Sequence, residues 1–290
     1  MSREIDFSDE ARTRIETAFG TTALVDAGEG FPAVFIHGVG QSAYFWRHQL
    51  AAFAGSRRCI AVDLMAHGQT EALPGADVSF REQAKMILAV LDKMGVETFD
   101  LVMNDSGGAI GQIMAVTQPD RVRSMAFSNC DVHDNWPPTT LNEIRSAAQE
   151  GKFADQLGGF IDHPEAFSET MGPLVYEDPA YPTPEELRIK IAPLVSSDER
   201  KAAFNRYVGM QDHSQLVVIE DKLRALQIPS LIVWGTADPF FPPQWAHWLK
   251  DALPQAREVI ELEGAMLFFP EEKPHLFNDP VEAFWTDLAA

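Results

Sequence analysis

The residues of this chain best suited to chemistry close one apolar run, Leu101-Val102-Met103-Asn104-Asp105-Ser106-Gly107-Gly108-Ala109-Ile110-Gly111. A buried strand that ends in a polar side chain and continues into small residues suits a nucleophile elbow. The turn is so tight that neighbouring Cβ atoms would clash, and the exposed side chain lands at the N-terminus of the next helix, where negative charge is favoured. Two side chains compete for the tip, Asp105 and Ser106. The glycines do not fit Gly-x-Gly-x-x-Gly, so a dinucleotide fingerprint is set aside.

Such a tip needs a sheet to hold it, and short β-type runs alternate with helix-type segments as in a parallel sheet covered on both faces. Leu24-Val25, Ala33–Ile36, Arg58–Leu64, Phe99–Asn104, Val122–Asn129, Ser230–Trp234 and Glu258–Leu262 read as strands. Helices are expected over Phe45–Phe53, Ser79–Met94, Gln244–Leu253 and Pro280–Leu288, the second with Ala84, Ile87, Leu88 and Leu91 at helical spacing. From about Asp134 to Leu226 the strand rhythm stops, and acids, prolines and helix formers predict short helices joined by turns. The fold class is therefore α/β. The expected division is a core of residues 1–133 and 227–290, with residues 134–226 as a helical cap inserted in it.

With 23 basic and 43 acidic side chains in 290 residues, the chain carries a formal charge of −20. That balance argues against nucleic acid and against an anionic membrane surface, both of which need clustered Lys and Arg. No apolar run approaches the ~20 residues of a membrane span, and the start shows no signal-peptide pattern, so a soluble, cytoplasmic protein is expected. Cys59 and Cys130 lie in apolar runs and suit a reducing compartment rather than a disulfide framework. Asp131-Val132-His133-Asp134 lacks metal-motif spacing, so no metal and no cofactor is expected. The expected partner is a small-molecule substrate, with a homodimer left open.

Around the elbow the chain resembles the α/β-hydrolase superfamily. The resemblance spans nearly the whole core and includes His37-Gly38-Val39-Gly40, Asp63-Leu64-Met65-Ala66-His67-Gly68 and Trp234-Gly235-Thr236-Ala237-Asp238-Pro239. In the family register Asp105 falls at the tip, which looks like the aspartate-nucleophile branch of haloalkane dehalogenases, fluoroacetate dehalogenases and epoxide hydrolases. The resemblance then implies an α/β-hydrolase fold, mostly parallel with a helical cap. Val39 and Ser106 would supply the oxyanion-hole amides, and Asp238 the relay acid. Some dehalogenases carry that acid after the preceding strand, where Asn129 and Asp131 stand. His37 and His67 belong to loop motifs that brace rather than react.

The family histidine is missing: Gly264-Ala265-Met266-Leu267-Phe268-Phe269-Pro270 keeps the register and puts Leu267 in its place. An Asp105 ester would then lack the base that activates water for its release. Three readings follow. In a hydrolase acting through Asp105 on a small apolar epoxide, halide, ester or lactone, another histidine serves, His133 or His213. In a lyase, isomerase, cyclase or decarboxylase, Asp105 is a general acid–base. In a ligand-binding protein there is no turnover. His37, Gly38, Trp46, Trp136, Tyr176, Tyr207 and Leu267 are the expected pocket residues, the Phe240-Phe241 pair lines a cavity or packs a core, and Tyr181 is a further cap tyrosine.

Overall fold

The computed structural model describes residues 5–135 and 139–289. Eight strands form its sheet: β1 Thr13–Thr17, β2 Gly20–Ala27, β3 Phe31–Ile36, β4 Arg57–Val62, β5 Phe99–Asp105, β6 Val122–Cys130, β7 Ser230–Gly235 and β8 Ile260–Leu262. Their order is β1-β2-β4-β3-β5-β6-β7-β8. The first two pairings are antiparallel and the rest parallel. Ala33, Val34, Phe35 and Ile36 on β3 are wholly buried, as are Leu101, Val102 and Met103 on β5. Continuous apolar runs of this kind belong to strands covered by helices on both faces.

The helix Phe80–Lys93 follows β4 and buries Ala84, Ile87, Leu88 and Leu91 on one face. The helix Ser106–Thr117 begins directly after β5 and is buried over almost its whole length, which its small residues permit. Between β6 and β7 the described residues form only helices, from Thr139–Gln149 to Glu220–Ala225. They include Phe153–Asp162, Pro184–Val195 and Asp198–Gly209. Thr183 and Glu186 close a reciprocal capping box on Pro184–Val195.

Three boundaries differ from the sequence reading. β1 pairs with β2 where no strand is expected, because Thr-Arg-Ile-Glu-Thr is an edge strand with little apolar signal. The expected Phe45–Phe53 helix divides into a 3-10 turn, Ala43–Trp46, and a helix, Arg47–Phe53. The last helix starts at His275 rather than Pro280. It runs to Ala289 and carries Pro280 inside it, at the cost of one backbone hydrogen bond.

Candidate active site

Asp105 is both the last residue of β5 and the N-cap of the following helix, with φ 54° and ψ −132°. A non-glycine residue held there costs on the order of 1–3 kcal/mol, so the surroundings must enforce it. Small neighbours make the close approach possible. A Cβ on Gly107 would lie 2.2 Å from the Ile36 carbonyl oxygen, and one on Gly38 would lie 2.2 Å from Asp105 Cβ.

The Asp105 carboxylate is 5% exposed and held at both oxygens. Oδ1 accepts from the Ser106 N–H at 2.6 Å, and Oδ2 accepts from the Val39 N–H at 3.1 Å. The Val39 loop is fixed from below by His37. Its Nδ1 lies 2.8 Å from the Gly38 carbonyl oxygen, and its Nε2 accepts from the Leu64 N–H at 3.1 Å. Burial drives the Asp105 carboxyl up to about 7, while the two amides pull in the opposite direction.

Two further carboxyls stand at the ends of the neighbouring strands. Asp238, after β7, is 3% exposed. Its Oδ1 accepts from the Phe240 and Phe241 N–H groups at 2.8 and 3.3 Å, and its Oδ2 accepts from Asn129 Nδ2 at 2.8 Å. Asn129 is pinned in turn, since its Oδ1 accepts from the Gly235 N–H at 2.7 Å. Burial pushes Asp238 up to about 7 as well. Asp131, after β6, is fully buried, and neither of its oxygens has a hydrogen-bond partner among the described residues. Burial first and the Asp105 charge second raise its carboxyl well above the ordinary range. Asp105, Asp131 and Asp238 make no ion pair among the described residues. No cluster of three or more His, Cys, Asp or Glu there is arranged to hold a metal ion.

Leu267 lies between β8 and the helix Phe269–Glu272, is 4% exposed and lines the same cavity as Asp105. Its carbonyl oxygen accepts from Asn104 Nδ2 at 3.1 Å, which ties this loop to the residue before Asp105. The two histidines proposed from the sequence to replace it are elsewhere. His133 sits between Asp134 at 3.0 Å and Glu220 at 2.9 Å, with its ring on Trp248, so acidic partners and stacking hold it off the cavity. His213 is half exposed beside Asp212 and is not on the cavity wall. Among the described residues no histidine lines the cavity.

The remaining pocket expectations divide in the same way. Gly38 lies under Asp105, and Tyr176, Phe240 and Phe241 line the cavity. Trp46 packs against Phe35, Phe45 and Phe277 in the core rather than on the cavity, as its fully buried ring dictates. His37 and His67 are buried beneath their loops, with rings 5.4 Å apart. Tyr207 stands behind the elbow, its hydroxyl 2.7 Å from Ser106 Oγ. Trp136 lies outside the described residues. The sequence reading missed Gln41 and Lys190, which line the cavity, and Glu271, which pairs with Lys190. Lys190 was visible as a charge between Leu187 and Ile191 on an otherwise apolar helix face.

The cavity has about 100 Å³ of free space, enough for several waters or one small molecule. Phe153, Leu157, Phe167, Phe204, Val208 and Phe241 make most of its wall apolar, and Asp105, Lys190 and Arg145 are the charged residues on it. The site therefore offers a basic carboxylate, fixed by two amides, in a mostly apolar space.

Comparison with known proteins agrees with this fold. The family model described as alpha/beta hydrolase fold matches residues 32–272. A haloalkane dehalogenase of Agrobacterium fabrum is 30% identical, over 98% of this chain and 94% of that protein. A 2-hydroxymuconate semialdehyde hydrolase of Pseudomonas putida is 28% identical, over 86% and 85%. Among solved structures, a putative ancestral haloalkane dehalogenase superposes with a TM-score of 0.77 at 25% identity, covering 96% of this chain and 100% of that one. The chain thus belongs to the α/β-hydrolase family, on its haloalkane-dehalogenase-like side, and is a hydrolase of that fold.

Proposed function

We propose that this hydrolase acts on a small, uncharged, largely apolar molecule with an electrophilic carbon, and that Asp105 is the reacting group as a general base toward water. The candidates for that carbon are the acyl carbon of an ester or lactone, an epoxide carbon and a carbon bearing a halide. The observation that carries this reading is that Asp105, raised by burial to about 7, lines a cavity that Leu267 also lines and that no histidine among the described residues reaches. A base is most effective with a pKa near the working pH, so this carboxylate serves without an imidazole. In the step, a water O–H gives its proton to Asp105 and the water oxygen bonds to the electrophilic carbon. The leaving group departs with the electron pair of the broken bond, and the proton passes from Asp105 to it or to solvent. Residues 134–226 are the cap that closes this cavity over the core formed by residues 1–133 and 227–290.

A second reading is favoured by the similarity to haloalkane dehalogenases. In it Asp105 attacks the carbon itself, the leaving group departs with its electrons, and water later cleaves the ester. Isotopic labelling separates the two. The protein is screened with 4-nitrophenyl butyrate, styrene oxide and 1-chlorohexane, and one turnover of whichever reacts is run in H₂¹⁸O. General-base hydrolysis puts the label in the product and none in the Asp105 peptide. Label in the Asp105 carboxyl establishes the ester route. Product without label, together with no label in the Asp105 peptide and activity lost in Asp105→Asn, establishes non-hydrolytic acid–base chemistry and overturns both.

A further inference from the structure

The cavity carries a second polar centre that the reaction at Asp105 leaves unused. Leu187, Lys190, Ile191 and Leu194 form the buried face of the helix Pro184–Val195, and Lys190 is only 4% exposed. Its Nζ donates to Glu271 Oε2 at 2.6 Å and to Tyr176 Oη at 2.7 Å, while Tyr176 Oη donates to the same Glu271 oxygen. The other Glu271 oxygen accepts from Arg47, which also pairs with Glu186. Two cations and two carboxylates alternate here, so the network as a whole is neutral.

Taking ions out of water costs several kcal/mol per ion, and an apolar side chain would fill the same wall more cheaply. What distinguishes this network is hydrogen-bonding capacity left over on Lys190, which lines the cavity. An ammonium has three protons. Two of those on Lys190 have acceptors, and the third has none among the described residues. Gln41, two residues after Val39, lines the same cavity. An unused ammonium proton beside an otherwise apolar space points to a guest that is apolar over most of its surface and accepts through an oxygen of its own.

We propose that Lys190, steadied by Glu271 and Tyr176, is a specificity site that donates a hydrogen bond to an uncharged oxygen of the substrate. That oxygen is a carbonyl, ether or hydroxyl oxygen, apart from the carbon attacked at Asp105. An anion is disfavoured because the Glu271 carboxylate already sits on Nζ. The proposal rests on reading the Asp105 cavity as the substrate site, and it narrows the substrate to apolar molecules with a second oxygen function.

The test compares dissociation constants, by calorimetry on the full chain, for acetophenone, for ethylbenzene, which has the same shape without the oxygen, and for benzoate. The wild type is expected to bind the ketone about tenfold or more tighter than the hydrocarbon, the effect of one hydrogen bond from a charged donor. Lys190→Met should bring that ratio close to one. Lys190→Gln, which keeps a donor and its folding, should keep part of it, and Asp105→Asn should leave it intact. A wild-type ratio near one, or a ratio unchanged in Lys190→Met or Lys190→Gln, overturns the proposal. A ratio lost in Asp105→Asn instead places the oxygen at Asp105 and also overturns it. Benzoate as the tightest ligand overturns the uncharged class. If the ratio behaves as expected while the ¹⁸O experiment fails, the chemistry at Asp105 falls and the Lys190 site stands.

Discussion

Asn129 donates to Asp238 across 2.8 Å, so this buried carboxyl at the end of β7 is held by an amide. Among the described residues no imidazole bonds to it. Asn129→Leu removes that donor, together with the acceptor for the Gly235 N–H. The expected loss is about 1–3 kcal/mol. Asp238 is raised in the folded state to about 7, so the fold loses stability as pH rises from the ordinary carboxylate value through 7, where Asp238 becomes ionised. The loss on removing Asn129 should therefore be larger at pH 8 than at pH 5, as read from urea unfolding. Equal losses at the two pH values would show that Asn129 supports the Gly235 backbone alone.

Asp131 gives the cleanest linkage experiment, because its oxygens have no partners to lose. Its folded carboxyl is raised by burial, whereas the unfolded chain ionises near the ordinary carboxylate value. Above that value the unfolded state binds fewer protons than the folded one, so this residue lowers stability as pH rises. Asp131→Asn should match the wild type near pH 4 and exceed it increasingly toward pH 8 in denaturant midpoint. A variant less stable than the wild type at pH 8 would mean that the ionised carboxylate is supported in the fold.

Gly38→Ala tests how tightly the elbow is packed. The added Cβ would lie 2.2 Å from Asp105 Cβ and 2.4 Å from its Cγ, so Asp105 or the Val39 loop must move. Either movement breaks the Val39 N–H to Oδ2 bond. Turnover should fall by 100-fold or more, with about 1–3 kcal/mol of lost stability from overpacking. A fully active variant would dissociate the Val39 amide from function.

How much of this site was legible in the sequence follows from how local each feature is. Asp105 and its two glycines are consecutive with a buried strand, and the steric demand of the turn is written in those few residues. Leu267 drew attention because the flanking Phe268 to Lys273 resemble the family motif that carries a histidine. The Asn129 clamp was not legible, because its partners Gly235 and Asp238 lie 106 and 109 residues on and meet it only through the β6–β7 pairing. Lys190 and Glu271 likewise meet across 81 residues. His133 looked available in the sequence, and only the fold shows it held by Glu220, 87 residues away.

Leu267→His reintroduces an imidazole on the wall that Asp105 faces. A protonated histidine near Asp105 favours its ionised form. The acid limb of the pH–rate profile should then move down by one unit or more, equivalent to about 1.4 kcal/mol. An unmoved limb would place the new ring out of reach of Asp105.

The direct measurement is the titration of Asp105 itself, by ¹³C NMR of the protein labelled at aspartate Cγ, with Asp105→Asn to assign its resonance. The expected result is a midpoint near 7, coincident with the acid limb of the pH–rate profile, with activity gained as pH rises through it. A midpoint near 4, with activity unchanged across pH 6 to 8, would contradict Asp105 as the base that takes the place of the missing histidine.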